Sequence, residues 1–430
     1  MKNQLLNFNM TDNLICGIDI GSSKIATIVA VCPQETKEAK VIGFNTTPSQ
    51  GVRKGLIIDI NEVASVVEES VDKAERMAGH KINSAYVSVG GPHISSLNSR
   101  GIVAVANPQA EISEDDVSRV IEAARAISLS STRQIIEVIP RDYIVDGQAG
   151  IKNAVGMTGV RLEVETHIIT ASQTNLKNIE RVFDDLGITN QGFVFSAMSA
   201  AEAVLTNTEK ELGVVLVDIG GGKIDLCLFV DGALSYSSSI PIGARHITND
   251  IAVGLRVSLD SAEKIKLHLS ESLNEDSKKK KLTELNLHDL NLAENLTEVS
   301  LKTLVDGIIA PRLEEIFKFI FDEIEKSGFS QQIPAGLVIT GGGALTAGML
   351  ETGKKVVGLS IRLGIPDKVT GLVEEIIDPS FAATSGLILY GTTNIMKNEF
   401  GLKNFGRIWK DFSFGGSVGK LKDFFKQFIP

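Results

Sequence analysis

Asp19-Ile20-Gly21-Ser22-Ser23-Lys24-Ile25 returns, at a constant offset of 199 residues, as Asp218-Ile219-Gly220-Gly221-Gly222-Lys223-Ile224. Asp, Ile, Gly, Lys and Ile are identical at matched positions, and each copy runs on to a matched valine, Val31 and Val230. An apolar run precedes each copy (Leu14 to Ile18, Val214 to Val217) and another follows it (Ala26 to Val31, Leu226 to Val230). That pattern predicts strand, tight turn, strand. A turn without bulky side chains exposes backbone N–H groups that cradle an anion. Gly21, Ser22, Ser23 and Lys24 in one copy, and Gly220, Gly221, Gly222 and Lys223 in the other, are therefore candidate phosphate-binding residues. The Asp that enters each turn, Asp19 or Asp218, is placed to face a hydrated metal ion. Two such hairpins predict a duplicated α/β fold whose halves grip one polyphosphate from opposite sides.

A third glycine cluster, Thr340-Gly341-Gly342-Gly343-Ala344, follows the strand-like Ala335 to Ile339 and precedes a helix predicted from Leu345. Glycines let the backbone approach a flat base or sugar closely. A triple glycine alone reads equally well as a turn. The order and spacing of all three elements, however, resemble the nucleotide-binding elements of the actin, sugar-kinase and 70-kDa heat-shock ATPase superfamily. The resemblance implies an actin-like ATPase fold with two lobes around a cleft, binding ATP with Mg2+ held through waters by Asp19 and Asp218. Gly341, Gly342 and Gly343 would line base and ribose. Glu263 and Lys266 match the ribose-contacting Glu-x-x-Lys of related ATPases.

At 430 residues the chain suits two or more domains. No apolar run reaches the length of a membrane span. Residues 1–13 lack a charged start, apolar core and cleavage site, so a disordered extension is expected there rather than a signal peptide. Cys16, Cys32 and Cys227 show no metal or redox spacing and are expected to be buried thiols in a reducing compartment. The net charge of −10 argues against general nucleic-acid binding. It is unevenly spread: from Lys397 onward seven Lys or Arg face three acids, while the other 396 residues hold 36 basic and 50 acidic side chains.

The first lobe is expected over 14–82 and 166–205, with a helix from N-cap Asn61 to Ala78. Residues 83–165 read as an inserted strand-rich α+β subdomain: strands at Ile82 to Gly90 and Gly101 to Ala106, a helix from Ser113, then strands at Ile135 to Val145 and Gly159 to Thr170. The second lobe's core is expected at 206–242 and 331–396. A helical subdomain spans 243–330, with a helix Ala244 to Leu269 broken near Ser258 to Asp260 and a long helix Leu301 to Lys326. Glu271 to Asn295, with Lys278-Lys279-Lys280-Lys281, reads as a solvated loop or insertion. Residues 397–416 form a tether to a terminal helix at 417–430.

Within the superfamily, the first hairpin, Gly51 to Ile58, Tyr86-Val87-Ser88-Val89-Gly90-Gly91 and Ala203-Val204-Leu205-Thr206 resemble FtsA, the bacterial cell-division actin homologue. So do Pro241-Ile242-Gly243 to Asp250-Ile251-Ala252 and Ala262-Glu263-Lys264-Ile265-Lys266. The resemblance covers about residues 14 to 396 plus the end of the tail, and the inserted subdomain is its most discriminating part. It implies a self-associating adaptor that tethers FtsZ filaments at the division site, on the cytoplasmic face of the inner membrane, with downstream division proteins as further partners. Arg312, in Pro311-Arg312-Leu313-Glu314-Glu315, matches a position placed to meet the FtsZ C-terminal peptide. Without the family it reads as a solvated residue or a local partner of Glu315. The chain departs from the family at Lys223, where Gly-Gly-Gly is usually followed by Thr. We take the backbone to matter there and the side chain to point away; the other reading is an added cation near the phosphates.

The tail carries its own signal. Residues 400–430 hold seven of the chain's 18 Phe and its one Trp, Trp409. At about 100° per residue, Val418, Leu421, Phe424, Phe425, Phe428 and Ile429 share one face of a helix, and Lys420, Lys422, Asp423 and Lys426 share the other. A basic face opposite a Phe-rich one describes a helix lying on anionic lipid. Docking on its own domain is the bland alternative, set against charge reversal, the Gly415-Gly416 tether and the aromatic density. One copy would bind reversibly and a polymer firmly.

Two other classes compete. A sugar-kinase-type phosphotransferase has no use for a membrane helix, and a chaperone ATPase needs a substrate domain after the last lobe. An actin-like pilus-assembly adaptor shares the inserted unit and differs in its tail. No side chain is assigned a catalytic role. Related ATPases polarise the attacking water with a Gln or Glu in the segment that is here Phe195 to Ala203, and matching the run to the chaperone pattern sets Ser196 where the chaperone has Glu. Glu202 lies about 240° further round the helix and should point elsewhere. A hydroxyl is a poor proton acceptor, so very slow turnover is expected.

Overall fold

The computed structural model describes residues 13–33, 36, 38–107, 109–275, 283–372 and 374–399. The repeated heptapeptides are hairpins. Asn13–Ile20 pairs antiparallel with Lys24–Cys32, Ile20 opposite Ile25, and Val214–Ile219 pairs with Ile224–Val230, Ile219 opposite Ile224. On the outer side of each Asp-bearing strand runs a parallel one, Ser84–Val89 in the first half and Leu337–Thr340 in the second. Extended outward, the sheets follow the same order. The first runs Thr189–Phe195, Ser84–Val89, Asn13–Ile20, Lys24–Cys32, Lys40–Pro48 and the short Thr370–Gly371. The second runs Ile361–Leu363, Leu337–Thr340, Val214–Ile219, Ile224–Val230 and Ala233–Ile240. The duplication is thus one of topology as well as of sequence.

Both central hairpins are apolar at consecutive positions because helices cover both sheet faces. Ile25 to Cys32 and Ile224 to Val230 are buried throughout. Helix Ile60–Ala78 sets Val63, Val66, Val67, Val71 and Ala74 into the first core. Its N-cap is Asp59 rather than the expected Asn61: the Asp59 carboxylate accepts from the N–H groups of Asn61 and Glu62, the reach of an Asp cap onto the first turn. A second core is built on Val215, Val217 and Ile219, with Leu313, Ile316, Phe317 and Ile320 from helix Ala310–Ser327. All three cysteines are buried.

The inserted unit is shifted from the expected 83–165. Ser84–Val89 pairs with the Asn13–Ile20 strand and belongs to the first-lobe sheet. The separate four-stranded sheet runs Ser95–Ala104, Arg161–Ser172, Arg133–Val145, Gln148–Ile151, so its strand Arg161–Ser172 extends past 165. Apolar alternation marks strands but does not say which sheet each joins. Helix Glu114–Arg125 packs on this sheet behind a reciprocal cap between Ser113 and Asp116. The sheet also meets the second lobe's outer strand, Ala233–Ile240. Ser96 Oγ donates to the Ser237 carbonyl at 2.7 Å, Arg141 Nε to Ser235 Oγ at 3.1 Å, and the His167 ring lies between Asn98 Oδ1 at 2.7 Å and Ser237 Oγ at 2.9 Å.

Two further expectations need correction. The segment 271–295 is not simply a solvated loop. Helix Leu259–Glu275 runs into it, a two-stranded ribbon pairs Glu284–Asn286 with Glu298–Ser300, and Leu285, Leu287 and Leu292 are buried in the second core. Polar composition hid three leucines at packing positions. The helix expected from Leu301 opens instead as a π-helical stretch, Lys302–Ile309, which passes into Ala310–Ser327 with Pro311 in its first turn. The break in the preceding helical region falls between Arg245–Leu255 and Leu259–Glu275. Among the described residues no helix is long and apolar enough to cross a membrane.

Candidate functional site

Both hairpin turns close in the same way. Gly21 N–H donates to the Lys24 carbonyl at 3.1 Å, and Gly220 N–H to the Lys223 carbonyl at 2.9 Å. The two tips face one another across the cleft. A Cβ on Gly221 would overlap the Ser23 hydroxyl, and one on Gly222 would lie 2.9 Å from Ser22 Oγ. Ser22 also accepts from Gly55 N–H at 3.0 Å, fixing the tip against the Gly51 to Ile58 loop. The third glycine cluster packs on the entry to the second hairpin. Gly341 adopts φ +85°, and a Cβ there would strike Asp218 and lie 2.6 Å from the Ile219 carbonyl, so only glycine fits. Gly343 lies over Ile219, and Gly342 faces Ser380.

Asp19 accepts a short hydrogen bond from Ser88. Burial pushes the Asp218 carboxyl up to about 7; Lys223 pulls it back, and Asp225 and Asp19 push it further up. A desolvated carboxylate facing a second one favours a cation between them and a ligand's phosphates. The pair therefore fits the expected hydrated Mg2+, which Asp19 and Asp218 would hold through water.

The two turn lysines diverge. Lys24 Nζ donates to Ser380 Oγ at 2.7 Å and lies 4.0 Å from the centroid of the Phe381 ring. Burial lowers its pKa, against the opposing pull of Asp378 and Asp19. Lys223 does not point away from the cleft as expected. Its ammonium is ion-paired with the buried Asp225 and donates to Ser196 Oγ at 3.0 Å. The cause is the residue two positions on, where the repeat changes from Ala26 to Asp225.

Ser196 opens helix Ser196–Val204 and donates its own proton to the Val89 carbonyl at 3.0 Å. Its hydroxyl thus has both a donor and an acceptor partner within the protein. Glu202 is turned to Lys210, at 2.8 Å. Glu263 and Lys266 come together on helix Leu259–Glu275: Lys266 Nζ donates to Glu263 at 2.7 Å and to Thr248 Oγ1 at 3.0 Å. Arg312 lies apart from the cleft glycines in sequence and in partners. It holds Asp250 with two hydrogen bonds, Nε at 2.5 Å and Nη2 at 3.0 Å, and also pairs with Glu315. Val418, Leu421, Phe424, Phe425, Phe428 and Ile429 lie outside the described residues.

Sequence reasoning missed Asp225, Ser88, Ser380 and Phe381. Asp225 had a signal, since hairpin pairing sets it directly opposite Asp218. Ser380 lies 356 residues from Lys24, and nothing local announces that contact.

Duplicated sheets, paired Asp-Gly hairpins and a glycine turn on the second define an actin-like ATPase fold. Solved structures agree in fold: the PilM-PilN type IV pilus biogenesis complex (TM-score 0.60, 14% identity, covering 88% of this chain and 98% of that one) and MreB5 of Spiroplasma citri bound to ADP (TM-score 0.53, 14% identity, covering 90% and 99%). Residues 215–386 match the family Cell division protein FtsA, and 91–170 match the SHS2 domain inserted in FTSA. The Cell division protein FtsA of Borreliella burgdorferi is 38% identical over 384 residues, 89% of this chain and 91% of that protein. That of Escherichia coli is 32% identical over 394 residues, 90% and 92%. The chain belongs to the FtsA family of cell division proteins.

Proposed function

We propose that this chain is an ATP-binding, self-associating membrane adaptor that anchors FtsZ filaments to the cytoplasmic face of the inner membrane at the division site. The observation that carries the nucleotide part is the meeting of both Asp-Gly hairpins and the Gly341 to Gly343 turn at one cleft. Gly21, Ser22, Ser23 and Lys24 and Gly220 to Gly222 hold the phosphates through their backbone; Glu263 and Lys266 meet the ribose beside Gly341 to Gly343. Bound Mg2+ would supply charge neutralisation of the phosphates, and this chain's part is to position Asp19 and Asp218 for it. With Ser196 bonded to Lys223 and Val89, and Glu202 to Lys210, no carboxylate on this segment serves as a base. Turnover is therefore very slow, and nucleotide occupancy acts as a polymerisation switch.

Membrane attachment rests on the Phe-rich, basic 417–430 segment, and filament binding on the Arg312 face, where an acidic FtsZ C-terminal peptide competes with Asp250 and Glu315 for the guanidinium. Co-sedimentation of the whole protein with FtsZ on anionic liposomes tests the reading. Phe424→Glu with Phe428→Glu should abolish pelleting with lipid and leave ATP binding intact. Asp218→Ala should weaken Mg-ATP binding by up to about tenfold, the low end for the loss of one charged contact. Pelleting unchanged by the double substitution returns the tail to a helix docked on its own domain. Mg-ATP binding unchanged in Asp218→Ala removes the site assignment.

A further inference from the structure

The Lys at the end of the second turn is built into the cleft rather than tolerated at its edge. Its stem passes Gly55, where a Cβ would lie 2.9 Å from Lys223 Cδ; its ammonium fills the space beside Gly90, where a Cβ would overlap both Lys223 Nζ and Asp225. Lys223 is 12% exposed and its partner Asp225 1%. The anchorage reaches both lobes. Ser196 relays the ammonium to the Val89 carbonyl at 3.0 Å, and Asp225 Oδ1 accepts from Gly91 N–H at 3.3 Å. A flexible lysine fixed at this many points is a stationary charge.

The charge it meets is the charge a nucleotide must meet. Asp19, Asp218 and Asp225 all act on Lys223; burial alone would lower its pKa, but the three carboxylates hold it above the usual value. Lys24, at the matched position of the other hairpin, is committed to Ser380 and Phe381. Without Lys223, the phosphate end of the cleft presents three carboxylates, and a polyphosphate enters only if bound metal supplies nearly all the compensating charge.

We infer that Lys223 is a resident cation of the nucleotide cleft that carries part of the neutralisation a divalent metal otherwise supplies, so that this chain holds a nucleoside polyphosphate with weak dependence on metal. The inference rests on the nucleotide-binding reading above and deepens it. It assigns to Lys223 a positioning and neutralising role, with no bond made or broken.

Equilibrium binding of ATP to the full chain, in magnesium chloride and in EDTA, tests it, with the ratio of the two dissociation constants as the readout. The parent ratio should stay within about tenfold, and Lys223→Thr should raise it to on the order of a hundredfold, the scale of one lost charge contact with a phosphate. Lys223→Arg, which keeps the charge, should stay near the parent. A parent ratio already on the order of a hundredfold overturns the inference, as does a ratio unchanged in Lys223→Thr. If Lys223→Thr does not fold, the parent ratio decides alone, and thermal unfolding of each variant shows which case applies. A folded parent that binds ATP under neither condition overturns the nucleotide reading itself, a result distinct from metal-dependent binding.

Discussion

The two hairpins share a backbone, a register and a lysine at the same turn position, yet their lysines lead opposite lives. Lys24 is lowered by burial and rests on a hydroxyl and an aromatic ring. Lys223 is raised by three carboxylates and clasped between the lobes. Two residues downstream, Ala26 in one strand and Asp225 in the other account for the contrast. A duplicated scaffold thus carries two different electrostatic sites, because backbone hydrogen bonding fixes the turn and leaves the side-chain partners to whatever each lobe brings near.

The largest test of that contrast is to remove the carboxylate that creates it. Asp225→Ala leaves the Lys223 ammonium without its buried partner, and breaking such a pair costs about 3–5 kcal/mol. Denaturant unfolding should show that loss. A cost below about 1 kcal/mol would place the Lys223 charge in water and erase the difference between the hairpins.

A second test uses acid. Burial pushes the His167 ring down to about 3, between the inserted sheet and the second lobe, and burial followed by the Lys223 charge pushes His93 to about 4. An unfolded histidine takes its proton near its ordinary pKa of about 6.5, whereas the folded ring does not until far lower. Stability is therefore full above about pH 6.5 and falls as the pH drops toward 4, by about 1.4 kcal/mol per unit for each ring so held. His167→Gln should flatten part of that slope in thermal unfolding measured across this range. An unaltered slope would assign the acid response to other groups.

The smallest effect is expected at the first hairpin. Lys24→Met removes an ammonium with a neutral hydroxyl partner and an aromatic contact, and should change unfolding stability by about 1 kcal/mol or less. A loss as large as that of Asp225→Ala would show that Lys24 is clasped like its counterpart.

Strand positions, the duplication and the glycine-bearing turns followed from sequence because they depend on local chemistry: apolar runs pair as strands, and glycine-rich turns close on themselves. The inserted unit's sheet order did not follow, since Ser84–Val89 has the same alternating pattern whether it joins the first-lobe sheet or the insert. The N-cap slipped by two residues because Asp59 and Asn61 have equivalent capping chemistry and only the backbone path separates them. Leu285, Leu287 and Leu292 were masked by the polar residues around them.

By itself the sequence determined the repeat, the two Asp-Gly turns and the kinship with FtsA, because each is carried by residues adjacent in the chain. Only the tertiary structure decided what those turns face. Lys24 meets Ser380, and Lys223 meets Ser196 and the backbone beside Gly90, across separations that no local pattern encodes. Each lysine side chain goes to the partner that the fold brings near, a hydroxyl and a ring for Lys24 and a buried charge for Lys223. For Lys223 that charge is Asp225, whose burial comes from the closing of one lobe on the other.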